Sequence, residues 1–382
     1  MNPKFLKIIH IIPSIEIEHS GPSYSVPRLV KSLREYANVS LYSVNFGLTQ
    51  KKIKENSYER SFKPSFGGIR LGRSSKLLNQ LILDAKNYKF LILHNHGMWQ
   101  FNALYASWIR ERFHNCKLVQ SPRGSLSNWS MRNGSLLKKI YWPLYQKKAL
   151  ELVDLFHVTS QEEYIDTQNL NFKKNIIYIP NGIDLPKYKN RNEKRKGFNR
   201  LLFLSRLHPK KGLNLLIEAW SEVNQFNKEW ELIIVGDDKD YRKSSGYKNQ
   251  LINMVNQFNL TNIKFLGPLH GKEKQRIYEN VDCFILPSFS ENFGLVVGEA
   301  MSYKLPVITT KRTHWIQIEE KKAGWLIDPT VESIKNILQR LFNLDKKNLE
   351  TMGNNGYKLI KDDYKWEDIG EKLYKEYIKL FE

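Results

Sequence analysis

Short apolar runs alternate along the whole chain with amphipathic stretches, and this alternation constrains the fold more than any other feature of the sequence. Many runs are followed by a glycine, a proline or an asparagine. Such runs are typical of strands buried on both faces of a parallel sheet and connected by helices. The predicted strands are residues 6–12, 39–44, 90–94, 117–120, 155–158, 175–179, 200–204, 231–235, 262–266, 283–286 and 306–309.

The stretches between these runs predict the helices, and residues 366–381 place their apolar side chains on one helical face. The predicted fold class is α/β, with two Rossmann-like, doubly wound parallel-sheet domains facing a central cleft. We place the N-terminal domain at residues 1–185, a basic linker at 186–199 and the C-terminal domain at 200–365. Functional residues are expected just after strands, where doubly wound domains bind ligands. The predicted helices are residues 25–36, 103–113, 136–152, 213–224, 247–258, 294–302 and 331–344.

The charge balance indicates an anionic partner: 60 Lys and Arg against 39 Asp and Glu give a net charge of +21. Aromatic residues make up 12% of the chain, so we expect the charged residues to lie on the surface of folded domains and not in a disordered tail. Two cysteines, Cys116 and Cys283, exclude a disulfide framework and fit a reducing compartment. No apolar run reaches the ~20 residues that span a bilayer. The start of the chain is typical of a strand and not of a signal peptide, so a cytoplasmic location is expected.

The segment PSFSENFGLVVGEA directly follows a predicted strand. Ser290 or Asn292 is expected to cap a helix that begins near Phe293, which leaves the backbone N–H groups of Phe293, Gly294 and Leu295 for a ligand. A helix N-terminus of this kind is an anion site. The glycine lets a diphosphate or a sugar approach the backbone closely.

Two glutamates of this segment, Glu291 and Glu299, lie eight positions apart. In a helix this spacing gives about 12 Å and a rotation of about 80°, so both carboxylates are expected to face one extended ligand and to bind its hydroxyl pairs. The alternative is structural: Glu291 stabilises the helix dipole and Glu299 is a solvated helix residue.

A second segment, FLSRLHPKKG, ends a predicted strand and opens a helix. It places Arg206 and Lys211 beside the predicted cleft, where two cations can neutralise a diphosphate leaving group as its charge develops. The alternative is that both are ordinary basic residues in a chain that has sixty of them.

Together these segments resemble the large family 4 of retaining nucleotide-sugar glycosyltransferases, which have the two-domain GT-B fold. The resemblance covers the whole chain and implies that the last helix packs back on the N-terminal domain. It implies transfer of a hexose-type sugar from a nucleoside diphosphate to an acceptor hydroxyl with retained configuration. The catalytic residues that it implies are Arg206, Lys211 and Glu291, and the donor-binding residues are Phe293, Gly294, Leu295 and Glu299.

Shorter motifs match the same family in order along the chain. Gly21, in a turn after the first strand, is assigned to the donor, and Gly236 matches a Gly-Asp turn near the nucleotide base. Residues 180–182 match a Pro-Asn-Gly turn before the linker. His96 resembles a cleft-facing histidine of bacterial surface-polysaccharide members, with a structural histidine as the alternative. Arg123 stands where many relatives have a histidine; because it is always charged, we expect it to bind an anionic group of acceptor or donor.

No cofactor is expected, because the nucleotide sugar is a substrate. Asp238 and Asp240 imitate the Asp-x-Asp metal motif of the other glycosyltransferase fold. The cations of the site already supply positive charge, so we expect a metal-independent enzyme and no metal site. UDP is favoured over GDP as the nucleotide. The alternatives are a nucleotide-sugar epimerase on the same fold and a nucleic-acid-binding protein, although no nucleic-acid-binding module is recognisable.

Most of the positive charge lies outside these motifs: residues 1–190 carry 28 basic and 13 acidic side chains. Basic residues that flank aromatic ones suit an anionic bilayer surface, and the similar family members assemble capsule, exopolysaccharide or lipopolysaccharide on acceptors that are often lipid-linked. We expect a peripheral location on the inner face of the cytoplasmic membrane, with an ordinary solvated face as the alternative. The basic residues concerned are Lys51, Lys52, Lys54, Arg60, Lys63, Arg70, Arg73, Lys76, Lys138, Lys139, Lys147 and Lys148.

Overall fold

The computed structural model describes residues 5–16, 21–45, 58–65, 71–127, 140–186, 199–223, 229–239 and 245–382. The chain forms two compact units. Unit 1 consists of Met1–Gly182 and Trp366–Glu382, and unit 2 consists of Ile183–Lys365, so the last helix belongs to unit 1. Residues 187–198 of the predicted linker lie outside the described residues. Within the described ranges, no helix combines the length and the hydropathy that a membrane span requires.

Unit 1 is built on a parallel sheet. Its described strands are β1 (Leu6–Ile12), β2 (Asn38–Val44), β3 (Glu59–Phe62), β4 (Phe90–His96), β5 (Cys116–Ser121), β6 (Leu155–Val158) and β7 (Asn175–Tyr178). Their order across the sheet is β3-β2-β1-β4-β5-β6-β7, so the order reverses beside β1. The helices of unit 1 are α1 (Gly21–Leu33), α2 (Ser75–Asn87), α3 (Phe101–Arg112), α4 (Lys147–Glu151), α5 (Gln161–Gln168) and the last helix, α12 (Trp366–Lys379).

The core of unit 1 explains why its central strands lack polar alternation. Every residue of β1, LKIIHII, is buried, as expected for a strand covered on both faces. On α12, Leu373 and Tyr377 are fully buried in the same cluster. α12 packs closely on α1: Ser32 Oγ donates to the Trp366 carbonyl at 2.5 Å, and a Cβ added to Gly370 would lie 2.1 Å from Ser32 Oγ.

Unit 2 repeats the architecture. Its strands are β8 (Asn199–Leu204), β9 (Trp230–Val235), β10 (Ile263–Gly267), β11 (Cys283–Leu286), β12 (Val307–Thr310) and β13 (Gly324–Ile327), all parallel. Their order is β10-β9-β8-β11-β12-β13, so the order reverses beside β8. The helices are α6 (Leu213–Val223), α7 (Tyr247–Gln257), α8 (Gly271–Glu279), α9 (Leu295–Ser302), α10 (Val331–Phe342) and α11 (Lys346–Asp363).

All eleven predicted strands are present, with ends that shift by at most two residues. Strands β3 and β13, each of four residues at the edge of its sheet, were not predicted. Helices α2, α5, α8 and α11 were not predicted either. α8, GKEKQRIYE, is mostly polar and has a single buried residue, Tyr278, so few apolar side chains mark it as a core helix.

Two predicted helices differ most from the observed ones. The helix predicted at residues 25–36 begins at Gly21, which is therefore an exposed first helical residue and not part of a turn. Pro22 suits this first turn, where no N–H is needed. Of the helix predicted at residues 136–152, the described part is helical from residue 140 and contains a π-helical turn, Trp142–Gln146, followed by α4. Pro143 cannot donate the N–H that a regular helix requires.

Candidate active site

The predicted functional residues gather where each sheet reverses its strand order. In unit 2, β8 lies between β9 and β11, and the segments after these strands carry Arg206, Lys211, Gly236 and Glu291. In unit 1, β1 lies between β2 and β4, and both β1 and β4 carry buried histidines. Open α/β sheets bind ligands beyond the carboxyl ends of the strands at this reversal.

The loops after β8 and β11 are bonded to each other. The Phe289 N–H donates to the Lys210 carbonyl at 2.8 Å, and Ser288 Oγ donates to the same oxygen at 3.0 Å. Gly212 has a φ of 68°, and a Cβ there would lie 2.1 Å from the Pro287 carbonyl oxygen. Only glycine permits this approach. The Lys-Gly motif and the glutamate motif therefore form one structural element.

Lys211 and Glu291 form an ion pair between these two loops. Their side chains are 14% and 13% exposed, and the Glu291 N–H donates to the Arg312 carbonyl at 3.1 Å. Glu291 precedes α9 and is not helical. The prediction that Glu291 and Glu299 lie along one helix is therefore wrong: the strand ends, and not a helix, position Glu291.

Helix α9 begins at Leu295, and its N-cap is Gly294, at a φ of 72°. The helix predicted at residues 294–302 is confirmed, with its start two residues after Phe293. The predicted side-chain caps are wrong, because the left-handed glycine turns the chain before the first helical residue. Trp315 Nε1–H donates to the Gly294 carbonyl at 3.0 Å, and the Phe293 ring is buried against Trp315. Phe293 can therefore offer a ligand only its backbone, next to the N–H groups of Gly294 and Leu295.

Glu299 lies on α9, is 6% exposed and is held by two side chains of α8. Lys274 Nζ lies 2.7 Å from Oε2, and the Tyr278 hydroxyl donates to the same oxygen at 2.9 Å. Glu299 is therefore not the solvated helix residue of the alternative interpretation. The sequence analysis missed Lys274 and Tyr278 because it missed α8. Their spacing of four residues would have placed them on one helical face.

The loop after β8 carries a local excess of positive charge. Arg206 is exposed and forms no ion pair with any residue that the structure describes. Burial lowers the pKa of His208, and the charges of Arg206, Lys211 and Lys210 lower it further. A field that disfavours a charged imidazole favours a bound anion.

Gly236 joins the ends of three strands. It has a φ of 146°, and a Cβ there would lie 1.9 Å from the Ser205 carbonyl oxygen. Its N–H donates to the Gly267 carbonyl at 2.9 Å. This packing alone requires a glycine at the position; the contact between Gly236 and a nucleotide base stays a prediction.

One of the two aspartates of the Asp-x-Asp sequence, Asp238, lies in the described part of unit 2. The Asp238 carboxylate accepts hydrogen bonds from Ser245 Oγ and from the Lys248 N–H, both at 3.2 Å. Asp240 lies outside the described residues. Asp238 therefore acts as a local structural acceptor at the start of α7.

Four histidines of unit 1 are at most 1% exposed: His10 on β1, His94 and His96 on β4, and His157 on β6. The ring centroids of His94 and His96 are 4.1 Å apart, and those of His10 and His94 are 4.7 Å apart. Burial lowers the pKa of all four, in the case of His157 to about 3. The rings are therefore neutral at physiological pH.

Arg123 follows β5 in a left-handed conformation, with a φ of 55°. Its Nε and Nη2 groups donate to His96 Nδ1 at 3.2 and 3.1 Å, and its Nη1 group donates to Asn181 Oδ1 at 2.9 Å. Burial lowers the pKa of Arg123 to about 10, so it keeps its charge at neutral pH. Within the described ranges no carboxylate forms an ion pair with Arg123. Neutral partners therefore hold a half-buried cation.

The structure brings two predicted residues of unit 1 together and leaves the third apart. Both ring nitrogens of His96 have partners: Nδ1 binds Arg123, and Nε2 lies 2.8 Å from His10 Nδ1. His96 thus supports Arg123. Asn181, from the predicted Pro-Asn-Gly turn, is the second support. Gly21 lies in the exposed first turn of α1 and has no described contact with this group.

Solved structures with a similar fold are glycosyltransferases. Sucrose-phosphate synthase from Thermosynechococcus elongatus has a TM-score of 0.76 at 19% identity, over 98% of this chain and 99% of that chain. Anabaena HepE, solved in complex with UDP and glucose, has a TM-score of 0.72 at 17% identity, over 96% of this chain and 98% of that chain. The two parallel-sheet units therefore have the GT-B fold, as predicted.

Two family models match adjacent parts of the sequence. Residues 20–187 match the model described as glycosyltransferase family 4, and residues 184–359 match the model described as glycosyl transferases group 1. The chain belongs to this family of glycosyltransferases, as the resemblance predicted.

Curated relatives align over part of the chain. A probable sucrose-phosphate synthase of Thermosipho melanesiensis is 32% identical over 231 residues, which are 58% of this chain and 51% of that protein. The capsular polysaccharide biosynthesis glycosyltransferase CapM of Staphylococcus aureus is 24% identical over 261 residues, 63% of this chain and 66% of that protein. The alignments thus span about half to two thirds of these relatives.

Proposed function

We propose that this protein is a retaining glycosyltransferase that moves a hexose-type sugar from a nucleoside diphosphate to an acceptor hydroxyl. The observation that carries the proposal is the charged centre of unit 2, which consists of Arg206, the Lys211–Glu291 pair and the start of α9. Cations and backbone N–H groups at a helix N-terminus are the groups that bind a diphosphate. They lie at the strand ends where the sheet order reverses.

In this proposal Arg206 and Lys211 stabilise the charge that develops on the departing diphosphate. Glu291 accepts hydrogen bonds from the sugar hydroxyls, and Glu299 accepts them from the ribose. Each carboxylate already faces a lysine, Lys211 or Lys274. A carboxylate committed in this way is a poor nucleophile, so we propose that the acceptor attacks the face from which the diphosphate departs, through an oxocarbenium-like state.

We propose that UDP is the preferred nucleotide, because HepE is similar in fold and was solved with UDP and with UDP-glucose. A second relative is a GDP-mannose-dependent mannosyltransferase of Corynebacterium glutamicum, which is 24% identical over 278 residues, 67% of this chain and 68% of that protein. GDP-sugars are therefore tested as well. Thermal-shift measurements with a panel of UDP- and GDP-sugars identify the donor. Product analysis with and without acceptor extracts follows, with chelator present throughout.

Stabilisation by one donor and acceptor-dependent transfer in chelator support the proposal. Conversion of the donor without an acceptor would instead indicate an epimerase. Activity that chelator abolishes and manganese restores would contradict the metal-independent mechanism. Failure of every nucleotide sugar to stabilise the protein would contradict the donor class.

We further propose that the acceptor is an anionic or lipid-linked glycan of bacterial surface polysaccharide, met at the inner face of the cytoplasmic membrane. CapM is a capsular polysaccharide enzyme by name, and the Corynebacterium relative acts on a phosphatidylinositol mannoside. Arg123, which forms no ion pair with a carboxylate in the described ranges, supplies the cation for an anionic acceptor group. Around α4, the apolar side chains of Ile140, Leu144 and Tyr145 are 50–55% exposed beside exposed Lys147 and Lys148.

Vesicle binding tests this membrane surface. We expect sedimentation with phosphatidylglycerol vesicles that weakens with salt, and about tenfold weaker binding for Leu144→Ser, because one apolar side chain leaves the bilayer. Leu83→Ser is the matched control, since Leu83 is 52% exposed on α2. Equal binding to neutral vesicles, or an equal loss in both variants, would contradict the proposal.

A further inference from the structure

Six side chains of unit 1 form a continuous hydrogen-bonded chain that the proposed reaction does not use directly. We call it the histidine chain, and its members are His96, His10, Tyr377, His94, Ser121 and His157. Arg123 lies at one end and the Ile179 carbonyl at the other. All six members are at most 1% exposed, so bulk solvent does not reach their hydrogen bonds.

The arginine end sets the direction of the first bonds. Arg123 can only donate, so His96 Nδ1 accepts and His96 Nε2 carries the proton. His96 Nε2 then donates to His10 Nδ1 at 2.8 Å. His10 in turn carries its proton on Nε2, which donates to the Tyr377 hydroxyl at 3.3 Å.

The carbonyl end sets the same direction independently. The Ile179 carbonyl can only accept, so His157 Nε2 donates to it at 2.9 Å and His157 Nδ1 accepts from Ser121 Oγ at 3.0 Å. Ser121 then accepts from His94 Nε2 at 2.7 Å. His94 Nδ1 accepts from the Tyr377 hydroxyl at 2.5 Å.

Tyr377 is the member at which the two directions meet. Its single proton is committed to His94, so its oxygen can only accept from His10. This excludes the tautomer of His10 with its proton on Nδ1. In that tautomer His10 Nδ1 would donate to His96 Nε2, and the proton of His96 would lie on Nδ1, facing the guanidinium of Arg123. We propose that Tyr377 is a positioning residue for Arg123, acting from α12 through this one-way chain. The proposal rests on the proposed function, in which Arg123 binds an anionic group.

The same histidines offer a competing interpretation as a metal site. The ring nitrogens of His10, His94 and His96 lie within 4.8 Å of one another. A metal would need a lone pair from each ring, whereas the chain uses His10 Nδ1 and His94 Nδ1 as acceptors and His96 Nε2 as a donor. The charge of Arg123 also opposes a second cation there. Zinc binding is therefore an outcome that the test must register.

Nitrogen-15 spectra of selectively labelled histidine and arginine test the histidine chain in the 382-residue protein. We expect all four histidines to be neutral with the proton on Nε2. Tyr377→Phe removes the acceptor of the buried His10 Nε2–H group. In this variant we expect His10 and His96 to show mixed tautomers and the Arg123 Nε proton to exchange about tenfold faster. Tyr374→Phe is the matched control, since Tyr374 lies on the same helix and stacks on Tyr36, away from the chain.

A proton on Nδ1 of any of the four wild-type rings would overturn the chain, and this measurement needs no variant to fold. Unchanged exchange of the Arg123 proton in Tyr377→Phe, or the same change in Tyr374→Phe, would overturn the role of Tyr377. One equivalent of added zinc retained after dialysis, with loss of the His10 and His96 N–H signals, would overturn both. Failure of the donor panel would contradict the proposed function and leave these signals unchanged, so the two failures are distinguishable.

Discussion

Both units have a polar centre where the strand order of the sheet reverses, but the side chains of the two centres differ. In unit 1 the centre is a set of neutral, fully buried histidines around one cation, Arg123. In unit 2 it is the charged centre, with the exposed Arg206, the Lys211–Glu291 pair and the start of α9, and a second ion pair, Lys274–Glu299, lies on α8 and α9. The reversal of strand order fixes where a site forms, and the side chains decide what it can bind. A charged, partly open centre suits a diphosphate, whereas the neutral, buried histidines of unit 1 hold a single half-buried cation in place.

The largest expected difference is in acid. The pKa values of His10, His94, His96 and His157 are lowered in the folded state, so their stabilising contribution is present above the unfolded value near 6.5 and is lost as the pH falls. Below that pH, each histidine that stays neutral in the folded state lowers the free energy of unfolding by about 1.4 kcal/mol per pH unit, and four lower it by about 5 kcal/mol per pH unit. In the described part of unit 2, only His314 is comparable, with a pKa of about 4.

Unit 1 should therefore open before unit 2 between pH 6 and pH 4. Pulsed hydrogen exchange read by mass spectrometry, corrected for intrinsic rates, should show peptides of β4 and β5 losing protection at a higher pH than peptides of β11 and β12. Simultaneous opening, or earlier opening of unit 2, would break the comparison.

The next largest effect concerns catalysis in unit 2. Arg206→Ala should lower the turnover number about 10²–10³-fold without unfolding the protein, because a preorganised charge that stabilises the leaving group is lost. Steady-state kinetics with the donor found in the panel measures it. Arg340→Ala is the control, because Arg340 is exposed on α10 outside the site. Retained turnover in Arg206→Ala would remove Arg206 from the site.

A smaller effect is expected at the second ion pair. Glu299→Gln keeps the shape but removes the charge that faces Lys274, so the dissociation constant of the donor should rise about tenfold, as for one lost charged hydrogen bond. Calorimetric titration measures this change. Glu332→Gln is the matched control, since Glu332 pairs with Lys335 at 2.6 Å on an exposed helix face. Equal effects of the two substitutions would show that only bulk charge matters.

The sequence predicted those parts of the site that depend on strand ends. Lys211 and Glu291 meet because their loops follow the neighbouring strands β8 and β11, and both strands are apolar enough to recognise. Gly294 was found as a motif residue, but its left-handed conformation, which moves the helix start to Leu295, depends on the packing of Trp315 against the loop.

The remaining site residues could not be predicted locally. Lys274 acts through its contact with α9, yet α8 is mostly polar and buries one residue, so few apolar side chains mark it as a helix. Tyr377 meets His94 across 283 positions of sequence. Tyr377 lies on the apolar face of α12, a position that is typical of an ordinary core residue. Only the packing of α12 in unit 1 shows that its hydroxyl completes a polar chain.

Titration with UDP tests most directly whether the charged centre of unit 2 is the nucleotide site. Wild type, Arg206→Ala and Arg123→Ala are compared by calorimetry at one salt concentration. We expect Arg206→Ala to weaken UDP binding about tenfold, as for one lost charged hydrogen bond, and Arg123→Ala to bind UDP like the wild type. Loss of UDP binding in Arg123→Ala with unchanged binding in Arg206→Ala would contradict the account.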